Sequence, residues 1–209
     1  MASKRTASAS TTRVYLEVGK HWTFAVALDW PGWARRAKGE LAAIDELLDY
    51  APRYQHVVGG DFVPGNVEVV GRVAGTATTD FGAPDARGPW DEEALSIPEA
   101  TRFIEMLEAS WRYFDDVVRQ APMELARGPR GGGRTREQVV EHVREAERSL
   151  ATKLGTRVAP RTAWPEQRAA IIENLHAGMP GATWPPRYAL RRGTWHVLDH
   201  AWEIEDKSP

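Results

Sequence analysis

Two histidines four residues apart, His196 and His200, stand in Thr194-Trp195-His196-Val197-Leu198-Asp199-His200-Ala201-Trp202-Glu203 near the end of the chain. On a helix that spacing stacks both imidazoles on one face, one turn apart. A metal ion needs two or three such nitrogens aimed at one point, and a rigid helix supplies two of them. A third, His142, lies in Val139-Val140-Glu141-His142-Val143-Arg144-Glu145-Ala146-Glu147, another helical pattern. It borders the apolar stripe of Val139, Val143, Ala146, Leu150 and Leu154. If the two helices pack together, three histidines converge on one ion. Such a pair also arises by chance on solvated helices, so the third histidine carries much of the weight. Glu145 and Glu203 each lie one turn from a histidine. Their alternatives are a general base, support for a ligand, or an ordinary solvated helix edge.

A second group able to do chemistry is Arg127, Arg130 and Arg134, set among Gly128, Gly131, Gly132 and Gly133. Guanidinium and backbone amides there can bind an anionic group. A solvated loop is the competing reading, since the Lys-Ser/Thr end of a phosphate loop is missing. His21, His56 and His176 match no ligand position, and Asp199 points away from the core arc toward the surface.

Four amphipathic helices must position these residues. Ser96 and Glu99 form a capping box that opens a helix with Phe103, Ile104, Leu107, Trp111, Phe114 and Val118 on one stripe. Pro122 limits it. Thr135 and Gln138 form another capping box ahead of His142, and Gly155 marks the end of that helix. A third helix is predicted from Pro165 to Ala177, with Ala169, Ile172 and Leu175 facing in. The last starts after Pro185-Pro186 and reaches about Lys207. Its core arc is Leu190, Val197, Leu198, Ala201 and Ile204, with Ala189 and Gly193 leaving room above the histidines. Short links between such helices favour a four-helix bundle.

The N-terminal half reads differently. Arg13–Val18 and Trp22–Leu28 alternate as a hairpin around Gly19-Lys20-His21. Pro31-Gly32 presets a turn, and a third strand runs from Trp33 to Ala37. Glu40 to Tyr50 has helical periodicity, with Pro52 ending it. Val67 to Val73 is a further strand. The fold class is therefore α+β: residues 1–12 as a disordered tail, 13–74 as a β-β-β-α-β domain, 75–95 as a linker, and 96–209 as the helical domain. Phe81 and Trp90 are candidates to pin the linker to a domain.

Composition bounds the function. A chain of 209 residues with net charge −2 and interspersed acids and bases shows no basic patch. Nucleic acid and membrane are not the expected partners. No apolar run approaches the ~20 residues of a membrane span, and the start lacks the apolar core of a signal peptide. The absence of cysteine excludes disulfides and thiolate ligands and fits a cytoplasmic location. Nine tryptophans are either core fillers or pocket walls, as Trp195 and Trp202 would be beside the histidines.

The strand ending Ala25-Val26-Ala27-Leu28, the turn Asp29-Trp30-Pro31-Gly32-Trp33 and the Ala/Leu helix opened by Gly39-Glu40 resemble the HicB-like fold. No helix-turn-helix or ribbon-helix-helix follows, so this resemblance implies a fold rather than an antitoxin role. From Ile97 to Lys207, His142 in the second helix and the His196/His200 pair in the last resemble the DinB/YfiT superfamily of metal-binding four-helix bundles. That resemblance implies a divalent metal (zinc, nickel or iron) on His142, His196 and His200. It further implies a metal-dependent transferase or hydrolase: thiol transfer from a low-molecular-weight thiol such as bacillithiol or mycothiol, isomerisation, or hydrolysis of a small molecule. The expected partners are a small-molecule substrate and, as an option, a second copy of the chain. The alternative from another class is a non-enzymatic, antitoxin-like or regulatory interaction protein that uses the HicB-like domain.

Overall fold

A computed structural model describes residues 10–60, 62–127 and 133–208. The chain divides into two compact units, one holding residues up to 29 together with 33–86, the other 30–32 together with 87 onward.

The first unit is built on a four-stranded sheet of order β3-β2-β1-β4. Strands β1 (Thr11–Val18) and β2 (Thr23–Ala27) form an antiparallel hairpin, with Val14 opposite Ala27 and Val18 opposite Thr23. Its turn is closed by the Gly19 N–H donating to the Trp22 carbonyl at 2.9 Å. Strand β3 (Ala34–Ala37) pairs antiparallel with β2, and β4 (Asn66–Ala74) runs parallel to β1. A parallel return requires a crossover. It is made of α1 (Glu40–Asp49) and α2 (Ala51–Val58).

Helix α1 stops ahead of Pro52 as expected, but a second helix follows rather than a loop. Pro52 occupies the first turn of α2, where its missing N–H has no intrahelical partner to lose. Tyr50 serves as C-cap of α1 and N-cap of α2, so the order is β-β-β-α-α-β. The segment read as a disordered tail also yields two residues to structure, since β1 begins at Thr11. Residues 1–9 of that segment lie outside the described residues. The aromatic core is Trp33, Tyr54 and Phe62, with ring centroids 4.8–5.9 Å apart. Buried Trp33 keeps its indole N–H satisfied by donating to the Leu47 carbonyl at 2.9 Å, as a buried polar group must.

The stretch read as a linker is not structureless. Thr76 caps a short helix α3 (Ala77–Phe81) with its own capping box. Thr79 Oγ1 and the Asp85 N–H donate to the fully buried Glu17 carboxylate, and Asp80 accepts from the Lys20 and His21 amides. These polar contacts fix the segment, not Phe81, which is 90% exposed. Trp90 is half-buried in a 3-10 turn at Pro89–Glu92, in the other unit.

The second unit holds α4 (Ile97–Gln120), α5 (Arg136–Lys153), α6 (Trp164–His176) and α7 (Pro186–Lys207). All four helices contribute to one apolar core, including Phe103, Leu107, Phe114, Val143, Ile171 and Ala201. Helix α7 packs on both α4 and α5, and α6 packs on α5. The capping boxes at Ser96 and Thr135 form as the sequence predicts. On α4 it is Val117 that is buried, with Val118 only half-buried.

On helix α6 Leu175 is buried as expected and Ile172 packs half-buried on the core, but the face is turned at its start: Gln167 and Ile171 are buried, while Ala169 is exposed. Polar partners account for the turn. Gln167 Nε2 donates to the Arg144 carbonyl at 3.0 Å, and Arg168 reaches the buried Glu147. Buried donors and acceptors left unpaired would cost about 1–3 kcal/mol each, more than the gain from burying one alanine.

Gly193 does not leave an open space either. A Cβ there would meet Leu150 Cδ2 at 2.5 Å, so the missing side chain lets Leu150 lie against the α7 backbone. Helix α7 is enclosed on more than its apolar arc. Arg191 and Asp91, each no more than 2% exposed, form a bidentate pair, and Arg187 reaches Glu99 at 2.9 Å.

Candidate metal centre

His142 sits two turns into α5, whose start is fixed by Thr135 Oγ1 accepting from the Gln138 N–H. With Val139 and Val143 fully buried, the helical period leaves His142 on the flank of the buried stripe, where it is exposed. His196 and His200 occupy successive turns of α7. Burial of Val197, Leu198, Ala201 and Ile204 holds that helix in rotation. His196 is half-buried and His200 is buried.

The three imidazoles come together as the spacing predicts. Ring centroids are 5.0 Å apart for His142 and His196, 4.8 Å for His142 and His200, and 4.6 Å for His196 and His200. One ring nitrogen from each lies within 4.8 Å of the others. Nε2 of His142 and Nε2 of His196 are 3.2 Å apart. Two nitrogens bound at ordinary distances to one tetrahedral ion are about 3.3 Å apart, so this pair already has the spacing an ion requires. Three imidazoles suit a divalent transition metal and leave coordination positions open.

Electrostatics favour the neutral, ligating form. Desolvation lowers the pKa of His196 well below 6.5, reinforced by His200, Arg192, His142 and Arg134. His142 is lowered for the same first reason, with His200 and Arg134 adding to it. Both rings therefore keep lone pairs available at neutral pH.

Glu203 lies against the cluster. Its Oε2 is 2.7 Å from His200 Nδ1 and 3.0 Å from Arg134 Nη2, and its Oε1 accepts from Lys207 Nζ at 2.6 Å. Burial works against its charge, but hydrogen bonds from His200 and Lys207 and the Arg134 charge outweigh it, bringing its pKa to about 2. A carboxylate that acidic makes a poor general base at neutral pH.

The other candidates fare differently. Glu145 is exposed and pairs with Arg148 one turn on. Arg134 turns to Glu203, Arg127 is exposed, and Arg130 lies outside the described residues. His21, His56 and His176 are exposed. Asp199, expected at the surface, is half-buried. Lys207 was missed as a member of the site, although a Glu four residues before a Lys is a readable helical pair. Trp195 stands beside the cluster, its ring 6.4 Å from that of His196. No family model matches the chain, and neither the curated proteins nor the solved structures provide a match.

Proposed function

We propose that the protein is a metal-dependent enzyme acting on a small molecule, with His142, His196 and His200 as the ligands of a divalent ion. The convergence of three histidine ring nitrogens, two of them 3.2 Å apart, carries this reading. Helices α4 to α7 around one apolar core give this reading its framework. Among the described residues no helix is long and apolar enough to cross a membrane.

When bound, such an ion supplies a Lewis acid that lowers the pKa of a coordinated water or thiol. The chain's own residues hold the site ready for it. Desolvation keeps His142 and His196 unprotonated, and exposed His142 places one side of the cluster within reach of solvent. A low-molecular-weight thiol is the cosubstrate class that the resemblance to DinB/YfiT bundles implies for such a site. The test is the visible spectrum of the cobalt-loaded protein. Adding a small thiol should produce a thiolate-to-cobalt charge-transfer band. A spectrum indifferent to both thiol and imidazole would contradict an open, substrate-binding ion.

A further inference from the structure

An imidazole ligates through a nitrogen that carries no proton, so the position of the other proton decides which nitrogen is available. In water the free side chain favours the proton on Nε2. In this cluster that arrangement would be wrong for His200. Its Nδ1 is occupied by Glu203, so only Nε2 remains to serve the cluster.

A carboxylate accepts hydrogen bonds and donates none. The 2.7 Å contact between His200 Nδ1 and Glu203 Oε2 therefore requires the proton on Nδ1. Glu203 is itself held from two directions. Lys207, one turn further along α7, holds Oε1 at 2.6 Å, and Arg134, two residues ahead of α5, holds Oε2 at 3.0 Å. The carboxylate is largely shielded, with 18% of its side chain exposed. One clamp comes from the helix bearing His196 and His200, the other from the segment leading into the helix bearing His142.

We infer that Glu203 is the positioning residue of the centre: it keeps the proton of His200 on Nδ1 and so aims Nε2 at the point shared with His142 and His196, while Arg134 and Lys207 hold its carboxylate. The inference rests on the three-histidine reading for its consequence at the metal, but its effect on His200 stands without one. Carboxylates behind ligating histidines are worth about 10–100-fold in metal affinity.

The experiment has two arms on the same proteins. Ring 15N shifts of His200 are recorded on metal-free wild type, E203Q and E203A at about pH 8.5, where ordinary histidines are neutral. Zinc affinity is then measured on all three. Wild type should show the Nδ1–H tautomer. E203A should revert toward Nε2–H and bind zinc about 10–100-fold more weakly, with its helical circular dichroism unchanged. E203Q, whose amide oxygen still accepts, should lie between. A His200 already protonated on Nε2 in wild type, or a tautomer in E203A identical to wild type, overturns the inference. The expected tautomer change between wild type and E203A, together with a wild type that binds no zinc, would instead remove the metal reading and leave the positioning of His200 intact.

Discussion

Two polar clusters grow from the same helix, α5, and they are built on opposite logic. At Glu147, 3% exposed, the carboxylate accepts from Trp164 Nε1 at 2.5 Å and from Arg168 at 3.0 Å. Arg168 lies over the Trp164 ring at 4.3 Å and reaches on to Asp115 at 2.8 Å. At His142 the neighbours are two more imidazoles. Neutral His142 and His196 can share one proton across 3.2 Å, which leaves lone pairs in surplus. The first cluster is closed on itself and the second is short of an electrophile.

Their glutamates diverge accordingly. Burial raises the pKa of Glu147 against the opposing pull of Arg168 and Trp164, whereas hydrogen bonds from His200 and Lys207 overcome burial and bring Glu203 to about 2. A saturated buried network stabilises a fold. An unsaturated one at a solvent-accessible edge has the character of the metal site proposed above.

The largest expected effect separates the two clusters by stability. E147A leaves Arg168 without its buried partner, a loss of about 3 kcal/mol, since Asp115 still compensates part of the charge. Thermal unfolding followed by tryptophan fluorescence should show a Tm lowered by roughly 6–12 °C, with metal stoichiometry unaltered. Next comes ligand linkage. Zinc at 100 times its Kd should stabilise the protein by about 2.7 kcal/mol. That increment should vanish in H196A, whose metal-free Tm should fall much less than that of E147A.

The dependence on pH should have opposite signs at the two clusters. The folded-state pKa values of His142 and His196 are depressed from 6.5. The unfolded chain therefore binds more protons just below pH 6.5, and metal-free stability falls as pH drops through that region. H142A/H196A should flatten this limb in urea titrations. Glu147 has a raised pKa. The folded state binds the extra proton above pH 4.5, so its contribution declines as pH rises through that interval, a limb that E147Q should remove. The smallest effect is at the packing that brings α5 and α7 together. G193A should cost about 1 kcal/mol, as Leu150 shifts to admit the methyl group, and should weaken zinc binding slightly by moving His142 away from its partners.

How far the sequence shows these features depends on how local they are. The His196/His200 pair, the capping boxes at Ser96 and Thr135, and the hairpin around Gly19 are written within a few residues, and all appear in the structure. Pro52 was ambiguous because the same residue stops one helix and suits the first turn of the next. The rotation of α6 leaves no trace within the helix itself, since its partner Glu147 lies about twenty residues away and Ala169 looks the better core residue. One signal was there to be read: Glu147 falls four residues after Val143 on the apolar stripe, and a charge at such a place needs a buried partner. The Asp91–Arg191 pair, a hundred residues apart in sequence, leaves no local trace. Of the candidate site, the three histidines were legible, while the Arg134 and Lys207 clamp on Glu203 depended on how α5 and α7 pack.

Metal titration of the wild type and the six single histidine-to-alanine variants tests the central claim most directly. Wild type should bind about one equivalent of zinc, nickel or ferrous iron per chain. H142A, H196A and H200A should each lose most of that occupancy with helical content intact, since the apolar core of the helices does not depend on metal. H21A, H56A and H176A should bind as wild type does. Occupancy indifferent to residues 142, 196 and 200, or a wild type that takes up none of the three metals, would contradict the account.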